Sequence, residues 1–537
     1  MGSGHFLVAA IDRIERRFAL WLDENPTPGI TRELQRLRMA AKTQLGELAN
    51  SVAIEDGQIL RRMIARRCIY GVDYNPITVQ LAQLSIWIHT FVPGLPLSLL
   101  DHNLVHGNSL VGVGSIDEIR SKFGETEGTL FEVNADELVG QAADPLIKLA
   151  RLSDASVTDI AAGRELMEEA RLKTLETKAL CDLITAQPVS DDPRLKGFAF
   201  DDWDRQRGEI HNSAALKVAH EVLEPFNVLH FPIAFPEVFL GQSGGFNVIL
   251  GNPPWEESVV NEDKFWARHS PGFASLPTRE QELKKDSFRL DRSDLVAELE
   301  DEIAEANQMR KFLHAGNFPG MGTGDPDLYK AFLWRFWFVS SANYGRIGVV
   351  LPRSALAAKG SEMFRKKLFG SVGNLDITAL QNSGRWVFDI HPQYTIALLG
   401  ISKSETEDTG GISLKGPFTS MVSFLEGKEI DAHRFTAEEV LDWNESASLP
   451  LLPEPYSAEV FVQLRKAPWL SLDEPDSWRA RADRELDATS QKPLMDFSEK
   501  RPDGFWKVYK GASFDLWNPD KGKYNAWADP NVVLPWL

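Results

Sequence analysis

The sharpest chemical signal in this sequence is Gly251-Asn252-Pro253-Pro254-Trp255, directly after the apolar run Phe246-Asn247-Val248-Ile249-Leu250. A buried strand ending there places Asn252, Pro253, Pro254 and Trp255 at the carboxyl edge of a sheet, where open α/β folds bind ligands. Two prolines remove amide donors and stiffen the backbone. The Asn252 side-chain oxygen and a neighbouring carbonyl can then face one incoming amine, while the aromatic ring stacks on a flat partner. Such a set suits an exocyclic amino group on a nucleobase, which offers two N–H donors on a planar ring. The bland alternative is a proline-rich turn that caps a strand, and the position after a buried strand speaks against it.

Three weaker signals precede it. Gly2-Ser3-Gly4 leads into a helical pattern. Glycines at such a turn let the backbone approach a ligand, and the helix N-terminus favours a carboxylate. A flexible start is the competing explanation. Asp73 closes the short apolar run Arg67-Cys68-Ile69-Tyr70-Gly71-Val72. A carboxylate at a strand end can hold the ribose hydroxyls of a nucleoside cofactor, or serve only near a helix cap. Asn108 lies in His106-Gly107-Asn108-Ser109-Leu110, where it can meet the adenine of such a cofactor or simply make a turn. None of the three decides the matter alone. Their order, each at the end of an alternate strand, is far less expected by chance.

The elements that must position these groups alternate. Leu7, Ile11, Ile14 and Phe18 recur at helical spacing, and residues 32–50 also read as helix. A strand over 67–73 follows, then a helix from Pro76 carrying Val79, Leu81, Ala82, Leu84, Ile86 and Trp87, then a strand end near 103–108. This is the pattern of a doubly wound parallel sheet. Residues 113–225 interrupt it with a polar helical insertion. Strands return at 246–250, 345–352, 374–377 and 395–400, and Ser402 to Gly411 reads as a hairpin loop or boundary. The division expected is a cofactor-binding half over 1–112, the insertion over 113–225, a catalytic half over 226–402, and the start of a recognition domain over 403–537.

The length, 537 residues, allows several domains. The chain is 43% hydrophobic and 25% charged, as soluble globular proteins are. No apolar run is long enough to span a bilayer, so no membrane partner is expected. Cys68 and Cys181 lie far apart without ligand-spaced neighbours, which argues against a disulfide framework or a metal and for a reducing, cytoplasmic setting. The net charge of −19 argues against nucleic acid only weakly, because an acidic enzyme can keep one basic cleft. The acidic run from Asp291 to Glu305 reads as a solvated helix face. Basic groups for phosphate contact are available at Arg353, Lys359, Arg365, Lys366 and Lys367. Late in the chain Lys500, Arg501, Lys507, Lys510, Lys521 and Lys523 alternate with Phe505, Trp506, Tyr509 and Trp517. An ordinary charged surface explains these equally well.

Taken together, these segments resemble the adenine-specific DNA methylases of the large restriction-modification and phage-defence families, of the type II-G-like and BREX-like kinds. The resemblance rests on Gly2 to Leu7, Gly71-Val72-Asp73-Tyr74-Asn75-Pro76, His106 to Leu110, Phe235-Pro236-Glu237-Val238-Phe239 and Phe246 to Trp255. It extends to Asp327-Leu328-Tyr329, Gly348 to Pro352 and Trp506-Lys507-Val508-Tyr509-Lys510-Gly511. It therefore covers most of the chain, in an order that resembles the gamma arrangement.

The resemblance implies an α/β, doubly wound, Rossmann-like methyltransferase core that uses S-adenosyl-L-methionine (SAM). Gly2, Ser3, Gly4 and Phe6 would lie on the methionine side of the cofactor, Asp73 at its ribose and Asn108 near its adenine. Asn252 and the Pro253 carbonyl would accept the target amine, with Pro254 stiffening the turn and Trp255 stacking on the base. The implied partners are double-stranded DNA with a flipped adenine, and other restriction or defence subunits. No metal is implied. The family carries a strand and an Asp-Pro-type element before Gly-Ser-Gly, and this sequence has neither. The expectation is a core lacking its first strand, truncated at both ends. Three other outcomes stay open: an amino-methyltransferase acting on cytosine or on protein glutamine, an inactive remnant serving only as a DNA-binding or assembly piece, and a fused nuclease in sequence not present here.

Overall fold

The computed structural model describes residues 1–123, 135–140, 143–200, 203–315, 318–322, 326–403, 411–430, 432–452, 457–468, 486–487, 490–515 and 517–534. Most of the expected loop over 402–411 lies outside the described residues. The chain divides into two compact units, Met1–Ala458 and Glu459–Leu537.

The first unit opens with three helices: α1 (His5–Glu24), α2 (Pro28–Leu45) and α3 (Asp56–Cys68). Helix α3 starts at a capping box, with the Glu55 side chain meeting the third amide and Gln58 reaching back. It runs on through Arg67 and Cys68, which the sequence pattern places in a strand. The strand itself, β1, is only Gly71–Asp73. A capped helix keeps its last turn because each further residue adds a backbone hydrogen bond. Helix α4 (Pro76–His89) begins as expected, with Pro76 in its first turn and Asn75 Oδ1 accepting from the Ile77 amide. It buries Val79, Ala82 and Ile86 beside Ile11 of α1 and Leu60 and Ile64 of α3. Strand β2 (Leu104–His106) pairs parallel with β1, and the two form a sheet of their own.

The described part of 113–225 is helical, as expected. Its apolar side closes a large core with Trp203, Phe226, Phe231, Phe235 and Phe239. Tyr70 and Val72 of the β1 segment, and Phe246 and Ile249 around β3 (Val248–Gly251), pack on that same core.

The second sheet has the order β3-β4-β6-β5-β7-β8. Its further strands are β4 (Arg346–Pro352), β5 (Asn374–Gln381), β6 (Thr395–Ser402), β7 (Gly411–Phe418) and β8 (His433–Phe435). Strand β3 runs parallel to β4, and β6 runs antiparallel to both β4 and β5. The carboxyl ends of β3, β4 and β5 therefore share one edge. The sequence reading sets a boundary at residue 402. The sheet instead runs on, because β7 pairs parallel with β5 and β8 closes against β7. The division between compact units falls at Ala458.

The fold is thus α/β, with a mixed sheet and helices. Among the described residues strand β3 pairs with β4 alone, and its Val248 and Leu250 are 60% and 48% exposed. The acidic run is a helix, Ser293–His314, with Leu295 and Leu299 turned inward. Among the described residues no helix is long and apolar enough to cross a membrane.

In the second unit, β9 (Trp506–Val508) pairs antiparallel with β10 (Ala526–Ala528). Lys507 bonds Asp520, and the Tyr509 and Tyr524 hydroxyls reach the same carboxylate.

Candidate active site

Strand β3 delivers Asn252 to the carboxyl edge, with the chain irregular from Asn252 to Trp255. Asn252 and Pro254 are exposed, Pro253 is buried and Trp255 is half-buried. No hydrogen bond engages the Asn252 side chain among the described residues, so its amide is free for a ligand. Trp255 is fixed by its indole N–H, which donates to the Val350 carbonyl at 3.4 Å. The turn ahead of it depends on Gly251, where a Cβ would lie 2.6 Å from the Phe336 ring. Downstream, Ser258 donates to the Pro326 carbonyl and Leu328 donates to the Glu256 carbonyl, both at 3.1 Å. The segment Asp327-Leu328-Tyr329 therefore anchors the chain that leaves the Asn-Pro-Pro-Trp element.

Two aromatics that the sequence reading missed stand beside Trp255. Phe388 meets it edge-on with centroids 6.0 Å apart, and Tyr394 lies 6.4 Å away at a 33° tilt. Both come from the loop joining β5 to β6, which rises at the same sheet edge. Buried Asn382 shapes that loop. Its Oδ1 accepts from the Val387 and Phe388 amides at 3.1 and 3.2 Å, and its Nδ2 donates to the Phe388 carbonyl at 2.9 Å. The sequence signal was there, in Trp386-Val387-Phe388 and Tyr394 between two strong strands.

The residues expected on the cofactor side gather around Asp73. Its Oδ2 accepts from the Gly2 amide at 2.9 Å and from the amino terminus at 3.1 Å, and its Oδ1 accepts from the Asn75 amide at 3.0 Å. Partial burial works to raise this carboxyl. The Asn75 and Gly2 amides and the terminal ammonium outweigh burial and hold it below the ordinary carboxylate range. A carboxylate has about four acceptor positions, so these three donors leave room for one more. Gly4 caps α1 at φ 91°, and a Cβ there would lie 3.2 Å from the Ala82 backbone. Only glycine combines that backbone with so close an approach. Ser3 Oγ pairs with His5 Nδ1 at 3.0 Å, and Phe6 is exposed.

Asn108 is 6% exposed. Its Oδ1 already accepts from the Leu110 and Val111 amides at 2.9 and 3.3 Å. Its NH2 group is what remains for a ligand. The structure thus brings Gly2, Gly4 and Asp73 together, sets Asn108 at the end of the neighbouring strand, and gathers Asn252, Trp255, Phe388 and Tyr394 at the other sheet.

Glu237, from the Phe235–Phe239 segment, joins the two sides. Its Oε1 accepts from the Tyr70 hydroxyl at 3.0 Å and pairs with His102 Nε2 at 2.7 Å. Tyr70 also meets Phe246 edge-on at 5.5 Å.

The basic residues expected to touch phosphate divide. Arg365 is fully buried and donates to the carbonyls of Ser446, Ala447, Ala355 and Ala358. It is a packing strut rather than a phosphate contact, because it is buried and its guanidinium is turned to backbone carbonyls. Lys366 pairs with Glu362, and Lys507 and Lys521 pair with Asp520 and Asp515. No cluster of metal-ligating side chains occurs among the described residues.

With this geometry in place, comparison with known proteins gives one family. Residues 67–288 match the Eco57I restriction-modification methylase family. No curated protein matches the chain. Among solved structures, it is similar at 12% identity and a TM-score of 0.30 to a chain of a DrdV–DNA complex, over 78% of this chain and 30% of that one. It is similar at 16% identity and 0.23 to the modification subunit of a putative type I restriction enzyme from Vibrio vulnificus YJ016, over 86% and 99%. A type I methyltransferase subunit from Streptococcus thermophilus gives 13%, 0.23, 84% and 99%. The chain spans about a third of the DrdV chain.

Proposed function

From the Eco57I restriction-modification methylase domain that residues 67–288 carry, we propose that this chain transfers a methyl group to the exocyclic N6 amine of adenine in DNA, with SAM as donor. The observation that carries the proposal is the unengaged Asn252 side chain at the carboxyl end of β3, flanked by buried Pro253 and by the Trp255, Phe388 and Tyr394 rings.

The residues present fit the cofactor. Asp73 is held ionised at a strand end with acceptor capacity for a ribose hydroxyl. Gly2 and Gly4 take the positive φ angles of a tight turn into α1. Asn108 keeps its NH2 group for the adenine ring. Ser3 and Phe6 would complete the methionine side. When bound, SAM supplies an electrophilic methyl group.

The protein's own part is positioning and charge. Asn252 Oδ1 and the Pro253 carbonyl accept the two N–H groups of the target amine and direct its lone pair out of the ring plane. The same two acceptors stabilise the positive charge that grows on nitrogen, and they are fixed before reaction. Trp255, with Phe388 and Tyr394, offers the aromatic surface that a base leaving the duplex requires. Holding both partners in line removes much of the entropic barrier. In this reading the second unit, Glu459–Leu537, belongs to the recognition domain. Double-stranded DNA is the substrate, other restriction or defence subunits are the partners, and the cytoplasm is the setting.

The break between the two sheets favours one second reading, in which the chain serves only as a DNA-binding or assembly piece. Calorimetry with SAM, together with methyl transfer to adenine-containing duplex DNA, separates the two. The enzyme reading expects wild-type binding and transfer, with Asn252→Ala retaining binding and losing transfer. Absence of SAM binding by the wild-type chain establishes the second reading. Transfer to cytosine alone moves the target.

A further inference from the structure

The helix Leu328–Val339 carries a buried cation that the mechanism above does not use. Arg335 is 1% exposed. Its Nη2 donates to the Leu110 carbonyl at 3.0 Å and to the Gly112 carbonyl at 2.8 Å. Its Nη1 lies 3.5 Å from Glu118 Oε1, and Nε and Nη1 make no hydrogen bond. The guanidinium also stands over the Phe318 ring at 5.4 Å.

A buried, half-satisfied guanidinium is an expensive way to fill space. Apolar residues of similar volume pack such a site as well or better. The two carbonyls it holds lie two and four residues after Asn108. The other side of that segment is held by backbone bonds: Asn108 to the Asn227 carbonyl, Leu229 to the Val111 carbonyl and Phe231 to the Val113 carbonyl, at 2.9, 3.1 and 2.9 Å. Two glycines make room for the clamp. At Gly112, with φ 125°, a Cβ would lie 2.1 Å from the Leu229 carbonyl oxygen. At Gly114 it would lie 2.0 Å from Arg335 Nη1.

The neighbouring residue on the same helix is Phe336, whose ring lies under Gly251. One turn of helix therefore touches both the loop that presents Asn108 and the turn that presents Asn252.

We infer that Arg335 is a positioning residue for the cofactor site: by clamping the Leu110 and Gly112 carbonyls it sets the Asn108 loop against the adenine end of SAM. The inference rests on the SAM-binding reading above.

The test is a pair of double-mutant cycles read by calorimetric SAM affinity on the full chain. Arg335→Lys keeps the charge but cannot reach both carbonyls, and roughly tenfold weaker binding is expected. In an Asn108→Ala background the same substitution adds little, because it acts through Asn108. In an Asp73→Asn background its effect adds in full. Gly114→Ala, which displaces the guanidinium from the opposite side, weakens SAM binding in the same direction and covers the case in which Arg335→Lys does not fold. Unchanged affinity in both folded variants overturns the inference, as does full additivity with Asn108→Ala. Failure of the wild-type chain to bind SAM instead removes the reading beneath it.

Discussion

In the half that presents Asp73 and Asn108, the strands are three residues long and, among the described residues, pair only with each other. In the half that presents Asn252, β5 and β6 are eight residues long and lie inside a six-stranded sheet. The first arrangement is marginal by itself, since an isolated strand pair has little independent stability. It is held by what surrounds it: the insertion, the bonds of Asp73 to amides, and Arg335. The second carries its own frame. Both present side chains at carboxyl ends of strands, yet Asn252 leaves the edge strand of a six-stranded sheet whereas Asp73 leaves a pair of strands that relies on its surroundings.

The sharpest way to break this comparison is to disable each half separately. Asn252→Ala should lower methyl transfer roughly 10²–10³-fold, as loss of one preorganised charge-stabilising group does, with SAM affinity unchanged by calorimetry. Asp73→Ala should show the reverse signature: SAM affinity falls roughly ten- to a hundredfold, and excess SAM restores turnover. If both variants lose both properties, the two halves do not act separately.

A smaller effect is expected from Gly251→Ala. Its methyl group meets the Phe336 ring, and overpacking of this kind costs about 1–3 kcal/mol. Chemical denaturation should show that loss. Transfer should fall more than SAM binding, because the strain sits in the catalytic turn.

Hydrogen exchange sharpens the contrast without mutation. Amides of Gly71–Asp73 and Leu104–His106 should exchange well before those of β5 and β6, which are expected to approach the global limit. Equal protection in the two sheets would show that attachment stiffens as well as a frame does.

The smallest effect concerns pH. Where the insertion meets the segment after it, the Val113 amide donates to His230 Nδ1 at 3.1 Å, so Nε2 carries the proton that meets Asp182 Oδ1 at 2.9 Å. Burial pulls His230 below its ordinary value, against the bond to Asp182. Burial tends to raise Asp182, but His230 and Lys178 outweigh it and bring it to about 2. Neutral His230 beside ionised Asp182 is the state this geometry supports. A base with a depressed pKa takes up its proton more readily when unfolded, so stability is lost as pH falls below the ordinary histidine range. The Asp182 contribution persists there and fades only as pH falls toward about 2. The unfolding temperature should drop by a few degrees between neutral and mildly acidic pH, and His230→Gln should flatten that slope.

Much of the site was legible because its residues announce themselves locally. Asn252 follows a strand of β-branched and apolar residues, and Asn75-Pro76 writes a helix start into the sequence. The strands at 346–352, 374–381 and 395–402 were visible as apolar runs for the same reason. What was hidden depends on distant partners. Arg365 looks like one of several surface cations, and only the carbonyls near residue 446 make it a strut. Phe388 becomes part of the site because β5 and β6 run antiparallel and bring their loop to the edge where β3 ends. Strands β7 and β8 follow a polar stretch that resembles a domain border. Nothing local in the Arg335 region of the aromatic helix points to residues 110 and 112.

The clamp from Arg335 to Leu110 joins residues 225 positions apart. Chains are made from the amino end, and domains fold as their last necessary piece emerges. The loop that holds Asn108 thus leaves the ribosome long before the helix that fixes it. During that interval the Asn108 loop lacks the guanidinium that holds its Leu110 and Gly112 carbonyls, so the loop is not set until the segment bearing Asn252 has also been made.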